Sequence, residues 1–335
     1  MKISGAPMRL GVMFDRDLPP ESLIPFCRHL DATEVDDVWV VEDLGWTGAI
    51  SSAATALAVT SRVRVGIGIT PAPLRNPVLL AMELGNLARM HPDRLAAGIG
   101  HGVQDWMRRA GAAAPSPLAL LEETIVAVRA LLRGETVTTR GRAVRLDGVR
   151  LVHPPAVPPP VLAGVLGPRS LELSGRVAQG TILPEGFGPE RIAGARELIG
   201  AGGRGRALPA PGCGVSAPGG GGSAPGGPDG ERGSAGGPDG GHGPDGGHEV
   251  AVFTHLYVDD DPARVREAVR PSAVETGSFL GVAPDEVPMA AGTAKTAAAH
   301  VRALWAAGAG TVVLRPVGDE PLLHVDRILA ALRDG

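Results

Sequence analysis

The sequence predicts a (β/α)8 barrel, and three observations carry that prediction. Eight short, almost wholly apolar segments alternate with helical stretches. Strands without polar alternation are buried on both faces, as in a parallel sheet covered by helices. Eight such units in 335 residues suit a closed barrel, whereas a doubly wound open sheet carries about five or six. The open alternative would also want Gly-x-Gly-x-x-Gly after the first strand, and Gly11-Val12-Met13-Phe14-Asp15 does not supply it.

The elements follow in order. Arg9–Phe14 reads as the first strand, with a helix over Pro20–Val35, and Asp37–Val41 as the second, with a helix over Ser51–Thr60. Val63–Thr70 is the third, followed by a helix over Asn76–Met90, and Leu95–Gly100 the fourth, followed by Pro117–Leu132. Thr136–Val152 alternates like a surface hairpin. Pro160–Gly164 is the fifth strand with a helix over Ser170–Ala178, and Thr181–Leu183 the sixth with a helix near Pro189–Ile199. Val250–Val258 and Thr311–Leu314 are the seventh and eighth, closed by a helix over Leu322–Leu332.

One segment differs. From Gly202 to His248 the chain is mostly Gly, Pro, Ala, Ser and Asp, with Gly-Gly-Pro-Asp-Gly starting at Gly226 and Gly236, and Gly-Pro-Asp-Gly-Gly at Gly243. So little apolar surface cannot offset the entropy of ordering. Residues 201–248 are therefore expected to be a flexible, disordered insertion before strand seven, dividing the barrel into 8–200 and 249–335. His242 and His248 within it read as solvated linker residues rather than metal ligands.

Composition narrows the function classes. Hydrophobic residues are 44% but aromatics only 3%, so the core is built from Val, Leu, Ile and Ala. The net charge is −4 and the arginines are spread along helices, which argues against nucleic-acid binding. Cys27 and Cys213 are far apart, suiting a reducing compartment. No run of about 18 apolar residues and no signal-peptide core stands out, so a soluble, cytoplasmic protein without membrane partners is expected.

Barrel chemistry sits at the C-terminal strand ends, which yields a short candidate list. Glu42, Asp43 and Trp46 follow strand two, and Gly66, Gly68 and Thr70 lie in strand three. Gly100, His101 and Gly102 follow strand four, and Arg315 ends strand eight. Glycines within a strand mark a bulge or close approach; with Gly100 and Gly102 they suggest a flat ring lying on backbone. Gly164-Val165-Leu166-Gly167-Pro168-Arg169, before a helix near Ser170, reads as a phosphate cradle at a helix N-terminus, or as an ordinary loop. His101, Glu42 and Asp43 are the candidate acids and bases. No His-Glu-x-x-His or Gly-x-Ser-x-Gly occurs, so no metal is expected.

Three stretches, VWVVEDLGW, VRVGIGITPAPLRNPVLLAMELGNLARMHPDRLAAGIGHGVQDWM and LAGVLGPRSLELSGRVAQGTIL, resemble the luciferase-like flavin-dependent oxidoreductases, particularly their actinobacterial deazaflavin-using branch. The resemblance runs from Met8 to Ile199 and resumes more weakly from Val250. It implies a (β/α)8 barrel that binds coenzyme F420, with FMN as the alternative, at its C-terminal mouth. Ile67-Gly68 matches the strand-three bulge, where members often carry a non-prolyl cis peptide behind the ring. Thr70 matches a ring-contacting hydroxyl, and Gly164 to Arg169 match the phosphate-binding turn.

Two departures matter. Asp43 stands where the family commonly has His, and Val103 falls near the Glu of the sugar-phosphate dehydrogenases, so their reaction is not expected here. The resemblance implies hydride transfer between reduced coenzyme F420 and a small organic substrate, with His101 or Glu42 moving the proton. The alternatives are an FMN-dependent monooxygenase using molecular oxygen, and a non-catalytic flavin-binding relative. Members are often dimers, which leaves a homodimer as an option.

Overall fold

The computed structural model describes residues 8–204 and 247–334. Cys213, His242 and the Gly-Pro-Asp repeats lie outside the described residues. Eight parallel strands close into a barrel in the order β1 (Arg9–Met13), β2 (Asp37–Val40), β3 (Arg64–Pro71), β4 (Leu95–Gly100), β7 (Val161–Gly164), β8 (Gly180–Leu183), β9 (Glu249–Val258) and β11 (Thr311–Pro316). The closing pairs are Thr311↔Ala251 on one side of β11 and Arg9↔Thr311 on the other. All eight expected strands are present. β5 (Val137–Arg140) and β6 (Arg145–Val149) form the expected antiparallel hairpin, whose turn is held by Glu123 accepting from the backbone N–H groups of Arg142, Ala143 and Val144.

The helices are α1 (Leu23–Asp31), α2 (Ala49–Val59), α3 (Pro77–Met90), α4 (Gln104–Arg109), α5 (Pro117–Leu132), α6 (Pro168–Val177), α7 (Pro189–Arg204), α8 (Pro262–Leu280), α9 (Ala294–Ala306) and α10 (Pro321–Arg333). Proline stands in the first turn of α3, α5, α6, α8 and α10, where its missing N–H costs nothing. Asn76 and Asp261 cap α3 and α8 by accepting from Val78 and Ala263 N–H at 2.9 and 2.8 Å. The short α4 and the three-residue strand β10 (Ala290–Gly292), which pairs with the end of β9, have too few residues for a periodic signal. No described helix is long and apolar enough to cross a membrane.

Strand alternation produces two apolar cores. Val12, Val38, Val65 and Val252 face the helices, while Met13, Trp39, Ala96, Leu162, Ile182, Phe253 and Val313 fill the barrel. Trp39 is wholly buried and meets Phe253 edge-on at 5.4 Å between centroids. That indole needs the strand glycines: a Cβ on Gly66 would stand 2.3 Å from Trp39 Cδ2, and one on Gly11 2.8 Å from Cδ1. Gly66 therefore makes room for a core side chain, not for a ring lying on backbone.

At the N-terminal end of the barrel, Arg64 donates to Asp37 at 2.8 Å and to Glu249 at 2.7 Å, and Arg9 joins Asp37. Thr311 donates to Glu249 at 2.9 Å. Burial pushes the Asp37 carboxyl up, but Arg64 and Arg9 outweigh this and leave it below the usual carboxylate range. This face of a barrel serves stability.

The helical run before the low-complexity segment is longer than expected. α7 continues through Gly202 to Arg204, because Gly202 permits close helix contact: a Cβ there would lie 1.9 Å from Glu172 O in α6. Composition alone assigned Gly202 to the insertion; packing assigns it to the barrel.

Candidate active site at the barrel mouth

The β3 end carries the largest local irregularity. Its pairing with β4 shifts register between Ile67 and Thr70, and the Gly68–Ile69 peptide is cis, one bond beyond the expected Ile67-Gly68. Ile67 is fully buried in the outer core, so its side chain is turned away from the mouth. Ile69 instead points inward and is half-buried. Its side chain takes the room left by three glycines: a Cβ on Gly164 would meet Ile69 Cγ2 at 2.5 Å, one on Gly100 its Cδ1 at 3.0 Å, and one on Gly98 its Cγ2 at 3.1 Å. At Gly68 the space is taken by Phe253, at 2.8 Å from such a Cβ. The bulge thus presents an aliphatic side chain where the sequence suggested bare backbone. Thr70 is buried, and its hydroxyl donates to Gly98 O at 3.0 Å.

His101 follows β4 directly. Its Nδ1 is buried without a hydrogen-bond partner, and burial holds the imidazole below its usual pKa, with the Pro117 backbone opposing. Gly102 turns the chain with φ +67°, a left-handed conformation that favours glycine, and packs beside Met107. On the neighbouring strand, Gly164 leads into Gly167, Pro168 and Arg169, all three exposed. Helix α6 begins at Pro168, two residues before the expected Ser170, and Gly167 O accepts from Ser170 N and Leu171 N at 3.0 and 2.9 Å.

The two acids after β2 part company. Glu42 is paired with Arg75 through both carboxylate oxygens and accepts from Ala49 N–H at 2.9 Å, capping α2. Asp43 accepts from Arg16 at 2.7 Å, and burial holds its carboxyl above the usual range although Arg16 pulls it down. Arg16 also joins Glu275 on α8 and lies 4.7 Å from the Trp46 ring centroid. Trp46 donates to Asp17 at 3.1 Å and lies 6.3 Å from Trp106, centroid to centroid.

A second group forms around Arg315, a candidate in the sequence whose partners were not singled out there. Arg315, ending β11, donates to Asp15 at 2.6 Å and to Glu185 at 3.3 Å. Burial pushes the Glu185 carboxyl up, but Arg315 outweighs it and leaves it lowered. His255 is fully buried, with Nε2 3.0 Å from Thr276 Oγ1 on α8. Asp15, Glu185 and Arg315 all follow or end a strand, and that position was the only sequence signal they offered. Among the described residues, no three His, Cys, Asp or Glu side chains are grouped to hold a metal ion.

The strand ends of this parallel barrel gather a bulge, a free imidazole nitrogen, paired acids and an exposed helix start on the face where barrel enzymes carry their chemistry. Residues 6–321 match the family model described as luciferase-like monooxygenase, and the chain belongs to that family. It is 27% identical over 176 residues to a 5,10-methylenetetrahydromethanopterin reductase of Methanolobus tindarius, covering 52% of this chain and 54% of the relative. It is 32% identical over 165 residues to an F420-dependent glucose-6-phosphate dehydrogenase of Nakamurella multipartita, covering 48% and 47%. The chain thus spans about half the length of the curated relatives it matches. The coenzyme F420-dependent tetrahydromethanopterin reductase of Methanopyrus kandleri shares the fold, with a TM-score of 0.75 at 17% identity over 98% of this chain and 99% of that one.

Proposed function

We propose that the chain is a coenzyme F420-dependent oxidoreductase that passes a hydride between the reduced cofactor and a small organic substrate. The observation that carries this reading is the Ile69 shelf, half-buried at the mouth and bedded against Gly98, Gly100 and Gly164. A planar ring needs a flat apolar support flanked by polar groups. Ile69 supplies the support, with Gly68, Thr70, Gly100 and Gly102 around it and the Ile67 backbone behind. The exposed start of α6, with Gly164, Gly167, Pro168 and Arg169, suits a phosphate on the same ligand. When bound, the cofactor supplies the hydride.

The chain's own residues orient reactants, exclude water and move a proton. His101 is the proton carrier in this reading, since its Nδ1 is unengaged and its lowered pKa keeps it neutral near pH 7. Asp43, with a raised pKa, is a second proton site. Glu42 is committed to Arg75 and the α2 N-terminus, so it positions the loop after β2. The barrel closes from residues 8–204 and 247–334, on either side of the low-complexity segment.

The names of the relatives support the cofactor assignment, and the family's description keeps an FMN monooxygenase in view. One titration separates them. Coenzyme F420 should bind with a dissociation constant of about 1 μM or less by fluorescence, and turnover should not consume oxygen. Tight binding of FMN alone, with oxygen uptake, would replace this reading with the monooxygenase.

A further inference from the structure

The charges on the β1, β8, β9 and β11 side of the mouth do not balance. Arg315 is shared by Asp15 and Glu185, and Arg16 by Asp43 and Glu275. Each guanidinium thus serves two carboxylates, leaving this interlinked group with two more negative charges than positive. Trp46 adds a further carboxylate at the rim by binding Asp17. The cluster is reachable from solvent: side-chain exposure is 17% for Glu185, 24% for Asp43 and 51% for Glu275.

A second observation points the same way. His255 lies inside the barrel end with Glu185, Arg315, Asp15 and Glu275 as its charged neighbours. It is fully buried, and its Nδ1 has no hydrogen-bond partner. Burial holds the imidazole below its usual pKa, although Glu185 opposes this, so the ring is neutral near pH 7. In the tautomer whose Nε2–H donates to Thr276, Nδ1 is a bare acceptor beside surplus carboxylates. A buried acceptor without a donor is costly, and a ligand bearing N–H and positive charge answers both needs.

We propose that this side of the mouth recognises a small organic cation, a protonated amine or an iminium nitrogen, as the charged group of the substrate. The assignment rests on the reading of the mouth as a substrate site and names its substrate class. A phosphate or carboxylate brought here would face four carboxylates, with Arg16 already paired through Nη1 and Nη2 and Arg315 through Nε and Nη1; Arg16 Nε is buried and has no partner. The site therefore selects against anionic substrates and draws cations by the same field. Trp46, beneath Arg16 and beside Trp106, offers the apolar rim for the rest of the molecule.

The test is calorimetric titration of the full chain with three probes of one shape: quinuclidinium, bicyclo[2.2.2]octan-1-ol and bicyclo[2.2.2]octane-1-carboxylate. Quinuclidinium should bind at least about tenfold more tightly than the alcohol, and the carboxylate more weakly than both. Glu185→Gln and Glu275→Gln should each weaken quinuclidinium by about three- to tenfold and leave the alcohol unchanged. Glu275 is half exposed, so its variant keeps the test alive if Glu185→Gln fails to fold. Equal binding of the three probes, tighter binding of the carboxylate, no binding of any, or indifference of quinuclidinium to Glu275→Gln overturns the proposal. The same preparations are titrated with coenzyme F420. Lost cation selectivity with cofactor binding intact overturns this inference alone, and the converse overturns the cofactor assignment alone.

Discussion

Ile69 and Gly164 interlock across the barrel mouth: a Cβ on Gly164 would stand 2.5 Å from Ile69 Cγ2, and the same side chain touches the space above Gly100 on the strand between. Strand β4 pairs Gly100 with Gly164 on one side and Pro71 on the other, so the shelf is set by three neighbouring strands.

Gly164→Ala should displace that shelf at modest cost to the fold, because Ile69 is only half-buried and can turn outward. The expected outcome is a loss of about tenfold in coenzyme F420 affinity, near 1.4 kcal/mol, by fluorescence titration. Unchanged affinity would count against Ile69 as the ring support.

Gly66→Ala differs because Trp39 is fully enclosed. The new methyl would stand 2.3 to 2.5 Å from three indole carbons, and overpacking of this kind costs about 1–3 kcal/mol. Urea denaturation should show a lowered midpoint, with cofactor affinity of the folded protein close to that of the parent.

Asp37→Ala leaves Arg64 and Arg9 short of a carboxylate at a buried position. Breaking a buried ion pair costs about 3–5 kcal/mol, so a large fall in the denaturation midpoint is expected. The sign of the pH dependence follows from the lowered folded-state pKa of Asp37. Its contribution is present above the unfolded pKa and is lost as pH falls through the folded one. The parent should therefore lose stability below about pH 4, and the variant should lose less over that range.

Buried and half-buried histidines act in a higher window. Burial lowers the pKa of His255, His300 and His324, so below about pH 6.5 the unfolded chain takes up protons that the folded chain refuses. Stability should fall as pH drops from 7 to 5. His300→Gln should flatten that slope in denaturation curves, and an unaltered slope would remove His300 from the account.

His101 and Glu42 can be told apart by kinetics. His101→Ala should lower kcat by about 10²-fold or more if it carries the proton, with an unchanged melting temperature. Glu42→Gln should chiefly lower stability, by about 1–3 kcal/mol, because it removes a charged partner from Arg75. Turnover of His101→Ala equal to that of the parent would remove His101 as the proton carrier.

Periodicity and length were enough to read the barrel from the sequence. Eight unbroken apolar strands alternating with proline-started helices admit few other arrangements, and each strand end then became a candidate position without any structure. The family resemblance sharpened this to a cofactor class and to the bulge at β3. Its weakness lay in the glycines. A strand glycine signals close approach but not of what, and only the folded chain shows that Gly66 faces Trp39, that Gly100 and Gly164 face Ile69, and that Gly202 faces α6.

The charged groups mark the same boundary more sharply. Glu42 and Asp43 are adjacent in sequence and equivalent in chemistry, yet one is tied to Arg75 and the other to Arg16. The partners of Arg315 are 300 and 130 residues away, and Thr276, which meets His255 at 3.0 Å, comes from helix α8, 21 residues further along the chain. Local pattern determines which backbone conformation a segment adopts, because that choice depends on neighbours within one or two turns. Which side chains share a site depends on barrel closure, and closure brings together strand ends that no local signal relates.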